Sequence, residues 1–148
     1  MAASDDFETE HIGRFAIRFR YPVWWQKRVE HDDGRETYVF WDVETGTLRM
    51  TPWRHDAASF DIDAFLQNRH DERDDAEWRA YNNRRTLCYE EDGSDDTRLH
   101  WYISGHENTI LACSFCYLRE LLDDEDAAEA VADSLKEVDA ILDSLTIG

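Results

Sequence analysis

A chain of 148 residues with a formal net charge of −18 and 42% hydrophobic residues has enough apolar mass for one packed core, which excludes a disordered acidic tail. The charge must therefore cover the surface of a folded domain, where it repels nucleic acid and anionic membranes and attracts basic partners. No apolar run reaches the length of a membrane span, and the acidic stretch Met1 to Glu10 is the opposite of a secretory leader, so a cytoplasmic protein is expected.

Residues 1–11 read as a flexible acidic N-terminus and residues 12–148 as a single domain. Phe15, Ile17, Phe19 and Tyr21 alternate with Arg14, Ala16, Arg18 and Arg20, a half-buried strand closed by Pro22, with the arginines on one face. Arg28 to His31 reads as a short strand, and Asp32-Asp33-Gly34 as the hairpin turn into Glu36 to Val43. That strand is apolar on both faces and is expected to be central and covered on two sides. Glu44-Thr45-Gly46 turns into a strand through Leu48, Met50 and Trp53. Ser59 is a candidate cap for a short helix from about Asp61 to His70. Asp71 to Glu77 reads as an acidic loop, Arg84 to Glu90 as a weak strand, and Glu90 to Asp96 as a second acidic turn. Leu99, Trp101 and Ile103 form the next alternating strand, which turns through Gly105 to Asn108 into the central strand Thr109 to Tyr117. Asp123 and Asp124 cap a last helix, whose apolar stripe is Val131, Leu135, Val138, Leu142 and Leu145.

Chemistry is hard to place on these elements. Cys113-Ser-Phe-Cys116 spells a CxxC motif, but in a strand residues three apart point to opposite faces, so the pair reads as structural, as does Cys88. Of the six histidines, His100 and His106 flank one turn and are expected to approach across a hairpin, with no third ligand at zinc spacing. Ser104-Gly-His106 lacks a nucleophile-elbow pattern, and the isolated glycines offer no phosphate-cradling loop. No cofactor, metal or catalytic constellation is expected. Two acidic runs remain: Asp71, Glu72, Asp74, Asp75 and Glu77 in the first, and Glu90, Glu91, Asp92, Asp95 and Asp96 in the second. They read either as solvated surface or as a docking surface for a basic protein, with Trp78 and Tyr81 as apolar anchors. Trp24, Trp25 and Trp53 read as core.

Phe15-Ala-Ile-Arg-Phe-Arg-Tyr-Pro22 followed by Trp24, and Leu111-Ala-Cys-Ser-Phe-Cys-Tyr117 leading through a helix to Ile141-Leu-Asp-Ser-Leu145, resemble the Mog1/PsbP-like group. Within it the chain is most similar to the DUF3805 family, from about Ile12 to Ile147. The resemblance implies an α+β domain, a twisted antiparallel β-sheet with two packed helices. It also implies binding rather than catalysis. Relatives of the fold include a Ran-binding nuclear transport factor, a photosystem extrinsic subunit and chaperones of type VI secretion effectors. None of their functional motifs maps onto these residues. The expectation is a non-enzymatic protein-binding domain, an immunity protein that neutralises a cognate bacterial toxin through its acidic loops. The alternatives are a type VI secretion effector chaperone, a small hydrolase with a pocket near His100 and His106, and an acidic shell that reflects salt adaptation alone.

Overall fold

In the computed structural model, which describes residues 7–148 and for Asp32 the backbone alone, two antiparallel sheets and two helices share the chain. A small sheet combines β1 (Phe7–Ile12), β2 (Ile17–Pro22) and β10 (Thr146–Ile147) in the order β1-β2-β10. The large sheet contains β3 (Gln26–Asp32), β4 (Arg35–Trp41), β5 (Gly46–Arg54), β6 (Glu77–Tyr81), β7 (Arg84–Asp92), β8 (Thr97–His106) and β9 (Thr109–Leu118). Its strand order is β3-β4-β5-β9-β8-β7-β6. Helices α1 (Ile62–Asp71) and α2 (Glu125–Asp143) take opposite faces of it. This is the α+β arrangement expected from the sequence.

The main core lies between the large sheet, the small sheet and α2. Leu111, Cys113, Phe115 and Tyr117 project from β9 toward Val131, Val138, Ile141 and Leu142 of α2 and toward Ile17 and Phe19 of β2. The intervening β9 residue Ile110 packs instead with Leu66 of α1, Leu87 and Ile103. The period of two thus feeds two cores, and β9 is apolar on both faces because it is the middle strand. Cys113 and Cys116 fall on opposite faces, the first buried and the second half-buried. β4 is second from the sheet edge rather than covered by an element on each side. Val39 is fully buried between Arg28 and Arg49 in register. Both side chains are held by Glu30, at 2.7 and 3.7 Å, and Arg28 also lies over the Trp41 ring, so arginine stems do the covering.

Several boundaries differ from the sequence reading, each for a local reason. The N-terminal segment is a paired strand from Phe7 onward, with Phe7 opposite Pro22 and Ile12 opposite Ile17; residues 1–6 lie outside the described residues. The strand expected from Phe15 begins at Ile17, because Ala16 sits in the left-handed region at φ 53 after the turn Gly13–Phe15. Arg14 therefore leaves the strand face that carries Arg18 and Arg20. Asp61, not Ser59, caps α1, accepting from the amides of Asp63 at 3.0 Å and Ala64 at 3.3 Å. Residues 77–81 form the edge strand β6, joined to β7 by Asn82-Asn83, both at positive φ, as a two-residue primed turn requires. Asp33 and Gly34, at φ 49 and 79, make the same kind of turn where the hairpin was expected. Asp124 caps α2 by accepting from the amide of Ala127 at 2.9 Å.

Candidate partner-binding surface

The fold brings the two acidic runs to one end of the large sheet. β6 starts there with Glu77, β7 ends there with Asp92, and β8 begins just after the turn at Gly93–Asp96. Arg73 ties them together. Its Nε donates to Asp75 Oδ1 at 3.0 Å, one terminal nitrogen donates to the Glu90 carbonyl at 3.4 Å, and the other lies 3.6 Å from Glu91. The guanidinium also covers the Tyr89 ring, 4.0 Å from its centroid. Arg98 bridges Asp92 at 2.9 Å and Glu90 at 3.3 Å, and Arg119 bridges Asp92 at 3.4 Å and Asp96 at 3.2 Å. Glu77 pairs with Arg79. Asp71 closes α1 and accepts from Gln67 at 2.9 Å and from His70 at 3.4 Å; the Gln67 bond, then His70, hold its carboxyl below the usual range. Glu72, Asp74 and Asp95 are exposed and have no ion pair among the described residues. Of the expected residues, Asp75, Glu77, Glu90, Glu91, Asp92 and Asp96 are thus brought together, and these carboxylates outnumber the guanidiniums threaded through them.

The two proposed anchors lie elsewhere. Tyr81 is buried, donating to Asp139 at 2.7 Å and accepting from Arg79 at 3.2 Å, and burial pushes its hydroxyl well above the ordinary phenol range. Trp78 points to the opposite face, where it stacks on His70 with ring centroids 5.0 Å apart beneath the Arg85 guanidinium. Both rings serve the fold. The apolar groups that do face solvent here are Leu118 and Leu122, each 44% exposed. Leu118 pairs in register with Thr97, beside Asp96, and Leu122 lies in the turn Arg119–Asp123 that leads into α2. In the sequence both fall between the strand ending at Tyr117 and the helix capped at Asp123, where no period marks a buried or exposed face.

Beyond that turn the acidity continues onto α2. Asp123, Asp124, Glu125, Asp126, Glu129, Asp133 and Glu137 follow one another with Lys136 as the helix's sole basic residue, and among the described residues none of its carboxylates is ion-paired. Asp133 and Glu137 line a groove with Asp42, Glu44 and the half-exposed Trp24. Burial first, then Asp133 and Asp42, push the Glu137 carboxyl up. Val23 and Val43 also face solvent near the loops that frame the groove, 45% and 76% exposed. Of the tryptophans expected in the core, Trp25 is buried, 4% exposed, Trp53 is partly buried against the core beside α1, and Trp24 faces solvent.

The histidine pocket has a different character. His100 and His106 do not face each other across a hairpin: both lie on β8, six residues apart, opposite Phe115 and Thr109. His100 joins Glu77, Arg79, Cys88, Glu90 and Tyr102 around a cavity of about 90 Å³. Its Nε2 is 2.9 Å from the Tyr117 hydroxyl and 3.8 Å from Glu90, and burial lowers its pKa despite that carboxylate. Burial pushes the Cys88 thiol up to about 12, so it stays protonated at neutral pH. The arrangement stabilises neutral forms of both groups. Among the described residues no group of three His, Cys, Asp or Glu converges as a metal site, and no helix is long and apolar enough to cross a membrane.

Two sheets, two helices and this topology define the PsbP-like α+β class, and the solved structures that share it include the following two. One is a protein from Bacteroides thetaiotaomicron, with a TM-score of 0.64 and 21% identity, covering 89% of this chain. This chain spans only 45% of that protein's length. The other is the solution structure of cyanobacterial PsbP (CyanoP) from Synechocystis sp. PCC 6803, with a TM-score of 0.58, 12% identity, and coverage of 97% and 93% of the two chains. The chain belongs to the DUF3805 family, described as a domain of unknown function, which it matches over residues 12–142. No curated protein matches it.

Proposed function

We propose that this chain is a cytoplasmic, non-enzymatic binding domain for a basic protein, and specifically an immunity protein that covers the basic surface of a cognate toxin. The observation that carries the reading is the surface running from the paired acidic runs across Leu118 and Leu122 onto the first turns of α2. Its carboxylates supply long-range attraction, and its two exposed leucines supply the apolar contact that charge alone lacks. Arginines fixed between the carboxylates hold their geometry before the partner arrives, which lowers the ordering cost of association. The test is retention of proteins from the native cell lysate on immobilised protein at low and then moderate salt. A single basic protein that survives moderate salt supports the reading. A diffuse set of basic proteins that washes off contradicts it and leaves the charge as a solvated shell.

A second reading, a secretion-effector chaperone, draws on the exposed Val23, Trp24 and Val43 beside the α2 groove. It requires an effector segment with apolar side chains, and the captured partner's sequence separates the two.

A further inference from the structure

Cationic side chains are scarce on this chain, 16 Lys and Arg against 34 Asp and Glu, yet three arginines line one cavity far from the acidic runs in sequence. Arg14, Arg35 and Arg54 surround a space of about 260 Å³. It lies where the turn Gly13–Phe15, the tip of the β3–β4 hairpin and the end of β5 meet. The backbone places each of them. The turn at Asp33 and Gly34 sets Arg35 at the head of β4, and Arg54 ends β5. One Arg54 terminal nitrogen donates to the Arg14 carbonyl at 2.6 Å, which ties two walls of the cavity together.

Two rings orient the guanidiniums. Arg14 and Arg54 lie 5.5 and 5.3 Å from the centroid of Phe15, and Arg35 lies 4.9 Å from that of Trp53. A guanidinium held over a ring has its face occupied and its N–H edge still free to meet an oxyanion in plane. Among the described residues a carboxylate meets only one of the three guanidiniums, that of Arg14. Glu36 faces Arg14 at 3.6 Å and also accepts from the Tyr38 hydroxyl at 3.4 Å. Asp56 is the other acid lining the cavity. Neither Arg35 nor Arg54 has an ion pair among the described residues, whereas Arg73, Arg98 and Arg119 each bridge two carboxylates. On a chain with so many acids, two unpaired guanidiniums converging with a third run against the average composition.

We propose that this cavity is a binding site for a small phosphate-bearing molecule, with the phosphate oxygens held by the edges of Arg35 and Arg54 and the remainder lying against Trp53 and Pro52. The volume falls just under the roughly 300–1,000 Å³ of ordinary ligand pockets, so the ligand is small. The site stands apart from the acidic surface and does not depend on its role.

The test is a titration of the ¹⁵N-labelled full chain with phenyl phosphate and, separately, with inorganic phosphate, against sodium chloride at matched ionic strength. The Trp53 indole and arginine Nε resonances are followed. The expected result is a saturable shift confined to the cavity, with affinity weakened about tenfold or more in both Arg35→Gln and Arg54→Gln, the loss of one charge-assisted hydrogen bond. Arg18→Gln, on β2, should leave the affinity unchanged. Tighter binding of phenyl phosphate supports a phosphate ester as ligand, and equal binding of the two supports free phosphate as the recognised group. Absence of saturation with both probes, shifts reproduced by chloride, or affinity that survives Arg35→Gln overturns the proposal. Arg35 is exposed at a hairpin tip, so that variant keeps the test valid if Arg54→Gln fails to fold.

Discussion

Replacing Glu137 by Gln should stabilise the protein at neutral pH. Asp133 and Glu137 lie four residues apart on α2, and Asp42 faces them across the groove, with no ion pair on the helix among the described residues. A like-charged pair at this spacing costs about 0.2–0.5 kcal/mol, and a second repulsion from Asp42 of similar size brings the expected gain to about 0.5–1 kcal/mol. The sign follows from the raised carboxyl. Its folded-state pKa lies above the unfolded value, so the charged form is penalised in the fold. That penalty is complete above the folded pKa and fades as pH falls through it. The assay is urea unfolding of wild type and Glu137→Gln at low salt, in molar salt and through the carboxylate range. The midpoint difference should be largest at neutral pH and low salt, shrink with screening, and close on acidification. A variant as stable as wild type, or less stable, at neutral pH and low salt would refute the reasoning. A gain would mean that the acidic face is kept at some cost to folding, as a binding surface often is.

Asp124→Ala removes the acceptor for the Ala127 amide and should cost about 1 kcal/mol in chemical unfolding. His100 is shifted down, so the unfolded chain gains a proton before the native one does. Wild type should then lose stability as pH drops below the ordinary value of 6.5 toward the folded pKa, and a His100→Gln variant should lose less across that window in pH-dependent urea midpoints. Thiol labelling of the native protein followed by mass spectrometry should modify Cys116 first. Cys88 and Cys113, buried and held protonated, should react only on unfolding, and mild oxidation should not join Cys113 to Cys116.

β2 and α2 were legible because each has one buried stripe, and β9 because a run apolar on both faces marks a middle strand; all three appear close to where the sequence puts them. β6 was not legible, since its two rings, Trp78 and Tyr81, are three apart and serve opposite faces. Its pairing with β7 through the Asn82-Asn83 turn is what makes it a strand. β1 is likewise an edge strand whose side chains, Ile12 apart, are exposed or half-buried, defined by the backbone of β2. At the candidate surface the carboxylates could be named from the sequence, but their convergence through Arg73 is a tertiary event between residues 73 and 91. Exposure of Leu118 and Leu122 was hidden for the same reason, because an apolar residue at a strand end reads as core until its neighbours are known.

The most direct test of the binding surface keeps its charge and removes its apolar component. Wild type and a Leu118→Ser/Leu122→Ser variant would be immobilised side by side and exposed to native cell lysate at moderate salt, after unfolding curves confirm that both are folded. The account predicts that wild type retains one basic protein and that the variant, with every carboxylate intact, loses most of it. Equal retention by both, or retention of many basic proteins by either, would contradict a specific interface at this edge.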